Sequence, residues 1–234
     1  MALQKRYQNG DDHGSRGLDS RLEMNPFPAV PSRLSPVGER IIKFRPYLTG
    51  VEAYYVWKYR PKGGTREDPH TEEEVKVKRL IGCLKLSPLW SMADKRKSEA
   101  IDYSANALAS LLPPSWWQAL FVPVPPSKPV EDETFDPRML RLLKAVRPPL
   151  SVADILTQSV AMRSTAKGLL PWHRALMMRC APLTNDRPRA VVLVDDVLAT
   201  GCHFRASELL IQAVWPGIDV IGVFLACSIP LAFP

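Results

Sequence analysis

Within VVLVDDVLATGCH, residues 191–203, two adjacent carboxylates, Asp195 and Asp196, follow an aliphatic run, and a small residue, a hydroxyl and a glycine come after them. Two neighbouring carboxylates buried without partners are costly. These acids therefore call for hydroxyls, a cation, or both. The segment Ala199, Thr200, Gly201, Cys202, His203 then leads into FRASELLIQAV, which has the composition of a helix. Free backbone N–H groups and the helix dipole make such a start a natural anion site. Thr200 adds a hydroxyl, and Gly201 permits close backbone approach. Acceptors for sugar hydroxyls beside a cradle for a sugar phosphate is the chemistry these residue types offer.

Elements must hold that site in place. AVVLVDD reads as a buried strand, with a helix from about Phe204 to Val214 and a second apolar strand, DVIGVFLACSI. Upstream, GVEAYYVWKYR is rich in aromatic and β-branched residues and reads as a strand. VKVKRLIGCLKL fits either a strand or a short helix. Ile101, Ala105, Leu108 and Leu112 fall at helical spacing, and Pro113 with Pro114 stops that helix. ALFVPVPPSK is a short strand running into a proline-stiffened loop, and Asp136 with Pro137 has the form of an N-cap and N1 pair for a helix through MLRLLKAV. Apolar strands alternating with helices predict an α/β fold with a mostly parallel twisted sheet covered on both faces. In such sheets ligands sit beyond the carboxyl ends of the strands, where VVLVDD ends.

At 234 residues the chain can bury one good-sized core. Residues 1 to about 40 are polar, without strand or helix period, and read as a disordered or extended arm; residues 41–234 form the domain, with a hood at about 45–90. No stretch approaches the roughly 20 apolar residues of a membrane span. The N-terminus has no apolar core of a secretory signal, so a cytoplasmic location with no membrane partner is the expectation. The four cysteines show no CxxC spacing; Cys83 and Cys227 are expected as buried thiols. A net charge of +7 points to an anionic partner without choosing among nucleotide, phosphorylated sugar and nucleic acid. KVKRLIGCLK and DKRK are either phosphate contacts for nucleic acid or solvated helix faces. Trp116 and Trp117 are core or hood packing, or else a base-stacking platform.

VVLVDDVLATG resembles the phosphoribosyl pyrophosphate (PRPP) signature of type I phosphoribosyltransferases. VPVPPSK, 122–128, is similar to the loop that cradles pyrophosphate in that family, and the segment from Arg163 through Thr165 to Arg174 resembles its catalytic loop. The order of these pieces, across about residues 50–228, is most similar to the ComF (amidophosphoribosyltransferase-like) branch. The resemblance implies a type I phosphoribosyltransferase fold with a small hood. It implies that Asp195 and Asp196, after Val194, bind the ribose hydroxyls and help place Mg²⁺, largely through the substrate. By the same resemblance Ala199, Thr200, Gly201, Cys202 and His203 would hold the 5′-phosphate. Pro126, Ser127 and Lys128 would lie near the pyrophosphate, and Arg163, Lys167 and Arg174 would neutralise the leaving group.

The sequence departs from the family pattern at three places. His203 stands where the family carries Thr or Ser, the CxxC pairs of the ComF zinc element are missing, and PVEDETFDPR puts an acidic run after the pyrophosphate loop. Two functions follow as alternatives. One is transfer of phosphoribose from PRPP to a nitrogen nucleophile, in nucleotide metabolism or within a bacterial defence or nucleic-acid-associated complex. The other is a non-catalytic nucleotide sensor or scaffold that binds protein or nucleic acid partners. The acceptor and the oligomeric state stay open.

Overall fold

The aliphatic runs at residues 190–198 and 219–228 become the two central strands of a six-stranded sheet, since only the sheet interior can cover side chains on both faces. The computed structural model describes residues 26–38, 41, 46–60, 69–87, 93–161, 170–181 and 187–229. Its strands are β1 (Ser35–Pro36), β2 (Glu52–Tyr59), β3 (Leu120–Pro123), β4 (Ser151–Val152), β5 (Leu156–Gln158), β6 (Met178–Cys180), β7 (Ala190–Leu198) and β8 (Asp219–Ser228). Its helices are α1 (Glu72–Leu84), α2 (Ala93–Leu111), α3 (Arg138–Ala145), α4 (Pro171–Leu176) and α5 (Cys202–Val214). The main sheet runs β1-β2-β8-β7-β3-β4, parallel at every pairing except β1 with β2. β5 and β6 form a separate antiparallel pair. The expected mostly parallel α/β architecture is present.

Strand order creates the crevice. From β3 the chain moves outward to β4, whereas from β7 it moves to β8 on the opposite side. β3 and β7 are neighbours, with Val122 beside Leu193 and Pro123 beside Val194. The topological switch therefore lies between the ends of the VPVP strand and the Asp195–Asp196 strand. Val192 and Val194 join the core under α1, α2 and α3, while Val191 and Leu193 join the second core with Phe204 and Ile211 of α5. This alternation is the pleat of a strand buried on both sides.

Local signals explain the helices. A capping box resolves the ambiguous VKVKRLIGCLKL in favour of helix α1: the Thr71 hydroxyl accepts from the Glu74 N–H at 3.2 Å, and the Glu74 carboxylate accepts from the Thr71 N–H at 2.9 Å. Val77, Leu80, Ile81 and Leu84 then fall on one buried face. Gly222 of β8 leaves room for the Phe204 ring, since a Cβ there would stand 2.8 Å from it. That contact seats the first turn of α5 on the sheet.

Several expectations are revised. Residues 26–38, read as part of the arm, run along the β2 edge: β1 pairs with Tyr54 and Tyr55, the Trp57 indole donates to the Ala29 carbonyl at 2.8 Å, and the Tyr103 hydroxyl donates to the Pro28 carbonyl. Residues 1–25 lie outside the described residues. The segment expected as a hood instead supplies β2 to the main sheet, beside β8, and α1 to its cover. Trp116 packs against that same core and meets Tyr54 edge-on at 5.2 Å. Cys227 is buried and Cys83 half-buried, and neither is in a disulfide. Asp136 does not cap α3, whose N-terminus has no side-chain cap. Its carboxylate instead accepts from Lys97 Nζ at 2.6 Å and from Arg138 at 2.8 Å.

Lys97 is only 2% exposed, so its charge depends on that partner. Replacing Asp136 with Ala leaves a buried ammonium without its counter-ion. The expected cost is about 3–5 kcal/mol of folding stability, checked by equilibrium denaturation in urea; Asp94→Ala, at an exposed carboxylate, should change stability by under about 0.5 kcal/mol.

Candidate functional site

The strand that carries the acidic pair ends in a left-handed turn. Gly201 has φ +79°, and a Cβ on it would stand 2.8 Å from Leu48, a fully buried residue of the 3-10 turn Pro46–Leu48. Both conformation and space therefore demand glycine. The Thr200 hydroxyl accepts from the Cys202 N–H at 3.2 Å, and the Arg205 N–H returns to the Gly201 carbonyl at 2.9 Å, so α5 starts directly at the loop. Ala199 and Thr200 are exposed.

The two acids have unlike environments. Asp196 is buried and points toward the α1–α3 side, where Oδ2 accepts from Arg138 Nε at 2.9 Å and from the terminal nitrogen Nη2 at 2.6 Å. Lys85 Nζ stands 3.3 Å from its Oδ1. Burial opposes ionisation of Asp196, but Arg138 and Lys85 outweigh it and hold the carboxyl below its ordinary range. Asp195 folds its Oδ1 back to accept the Asp196 N–H at 2.8 Å. Burial first, then the neighbouring Asp196 charge, push the Asp195 carboxyl up to about 7. Burial also works against the Arg138 charge, yet Asp196 and Asp136 more than restore it, and its guanidinium is held more firmly protonated than usual.

A cavity of about 370 Å³ opens at the switch point, within the size range of small-molecule sites. It gathers Asp195 and Asp196 with Ala199, Thr200, Gly201 and His203 from the loop and α5, Pro126 and Ser127 after β3, and Arg174 of α4. Lys85 and Arg138 complete its wall. His203 brings an imidazole to this wall: burial first, then the Arg174 charge, bring it down to about 4, so it is neutral at physiological pH. Its Nε2 is buried and has no hydrogen-bond partner among the described residues.

Other expected residues lie elsewhere. Val194 is fully buried in the core, on the same strand face as Asp196 but one pleat deeper in the sheet, and does not line the cavity. Cys202 is buried in the first turn of α5. Lys128 pairs with Asp132 at 2.9 Å and does not line the cavity. Arg163 and Lys167 are outside the described residues, between β5 and α4. Sequence reasoning missed Lys85 and Arg138. Arg138 carried one readable signal: a cation in the first turn of a helix opposes the dipole and implies an anionic partner.

No protein-family model matches the chain, and no curated protein matches it.

Two outcomes follow from this geometry. Gly201→Ala should destabilise the fold by about 1–3 kcal/mol, measured by urea denaturation, because it forces a side chain into both a left-handed φ and the Leu48 contact. Asp195 takes up its proton more readily folded than unfolded, so its contribution to stability is greatest at low pH and is lost as pH rises from about 4 to about 7. Asp195→Asn should remove that decline, leaving the variant relatively more stable than wild type at pH 8 than at pH 4 in thermal melts.

Proposed function

We propose that the protein is a type I phosphoribosyltransferase-like domain that binds PRPP with Mg²⁺ and transfers phosphoribose to a nitrogen nucleophile. One observation carries this reading: a pair of carboxylates and a glycine-turn helix start face one cavity at the switch point of a parallel sheet. Asp195, with one carboxylate oxygen free of the backbone contact, accepts or donates to the ribose hydroxyls. Asp196 serves it from behind, as the anion that Arg138 and Lys85 hold in place. The first-turn N–H groups of α5, Thr200 and neutral His203 receive the 5′-phosphate. Ser127 and Arg174 border the diphosphate side.

Among the described residues no three His, Cys, Asp or Glu side chains gather to hold a metal ion, and the Asp196 oxygens are already engaged. These residues fit Mg²⁺ at one remove, with Asp195 bordering an ion carried by the ligand's phosphates. Bound there, Mg²⁺ would offset charge on the departing pyrophosphate.

A second reading, a sensor that binds the phosphosugar without turnover, is favoured by the tie between Lys128 and Asp132. Lys128 extends toward Asp132, whose carboxyl is held down to about 2, first by the Thr134 hydroxyl and then by Lys128, and it does not line the cavity.

Thermal shift separates these readings from no binding at all. PRPP with Mg²⁺ at a hundredfold excess over Kd should stabilise wild type by about 2.7 kcal/mol, and Asp195→Asn should abolish the shift. Asp195 is the better variant here, because Asn at 196 would strand the Arg138 charge. Absence of a shift in wild type sinks both readings, and release of pyrophosphate with a panel of nitrogen acceptors then decides transfer against sensing.

A further inference from the structure

A ligand bearing a pyrophosphate group brings several negative charges into a cavity that already holds Asp195 and Asp196. Positive charge must face it, and the lysine that the motif supplies does not line the cavity. Lys128 is paired with Asp132 four residues on and stands outside the cavity wall. Three cations on the wall come from other elements: Arg174 of α4 stands by Cys202 and His203 at the α5 end, while Arg138 opens α3 and Lys85 closes α1.

Their geometry divides the work. Arg138 places two N–H groups on Asp196 and a third on Asp136, so three of its five donors are committed to the protein. Lys85 is held more loosely. Its Nζ lies 3.3 Å from Asp196 Oδ1, against 2.6 Å for the shortest Arg138 contact, and its side chain is 44% exposed. Asp196 already has a full-strength partner, so Lys85 is surplus to its neutralisation. Its backbone is fixed, because the Lys85 N–H closes α1 on the Ile81 carbonyl at 3.1 Å, while its ammonium reaches the rim with three donors. A tethered, half-exposed cation beside an already satisfied carboxylate is placed to bridge that carboxylate and an incoming anion.

We propose that Lys85, backed by Arg138, is the binding residue for the pyrophosphate arm of the ligand, in the place that the motif gives to Lys128. This deepens the phosphosugar reading and rests on it for the ligand's identity. The cavity then reads its ligand at two ends, with Asp195 and the α5 turn at the sugar phosphate and the α1 terminus at the diphosphate.

Isothermal titration of the full chain with inorganic pyrophosphate and Mg²⁺, and separately with PRPP and Mg²⁺, tests it. Lys85→Met should weaken pyrophosphate binding by roughly tenfold or more, the loss of a charge-assisted contact. Lys128→Met should stay within about twofold of wild type, and Lys85→Arg, which keeps the charge, should retain most of the affinity. Thermal melts without ligand control for folding, and a half-exposed side chain should leave them nearly unchanged. Unchanged pyrophosphate affinity in Lys85→Met overturns the inference, as does a larger loss from Lys128→Met or no pyrophosphate binding by wild type. If wild type binds pyrophosphate through Lys85 but not PRPP, the anion wall stands and the ribose reading falls.

Discussion

The guanidinium of Arg138 is the constraint on which the site depends. It lies between Asp136 and Asp196, and through Asp136 it is joined to Lys97 in the interior. Two aspartates at a strand tip repel each other and resist burial. Arg138 resolves that conflict by fixing one of them as an anion, which leaves the proton to the other. The asymmetry of the pair is thus imposed by a third residue. Because the same side chain spans the end of β7 and the start of α3, the position of the helix and the ionisation of the site are one problem with one solution.

That dependence orders the rest of the molecule. The parallel sheet brings the ends of β3 and β7 together, the Phe204 contact over Gly222 seats α5, and the closing turn of α1 delivers Lys85. Each of these is a consequence of burying apolar faces. The polar chemistry occupies the one edge where strands end and helices begin, where backbone groups are unsatisfied and dipoles converge. On the surface of α1, Lys76 pairs with Glu72 one turn away.

How much was legible in the sequence follows from the range of the interactions. The strand, the turn and the start of α5 are contiguous, so residues 190–203 announced the strand, the bend and the helix that follows. Gly201 could be singled out from its neighbours alone. Asp136 could not be read correctly, because its local pattern is a helix cap and only a lysine 39 residues upstream changes its use. Arg138 and Asp196 are 58 positions apart and meet only once the sheet order exists. Val194 illustrates the finest limit: it shares a strand face with Asp196, and only its depth within the sheet, which motif membership ignores, makes it a core residue. Residues 52–59 pose a related limit, since a strand's composition does not tell which sheet it joins.

Leu48 lies in the chain long before the turn it presses against. Its methyl groups occupy the volume that any side chain at position 201 would need. The tightest bend at the site is therefore moulded from outside by a residue with no chemistry of its own. A bulkier or smaller side chain at 48 would reshape the turn as directly as an exchange within the turn itself, so positions 48 and 201 form a single unit of shape.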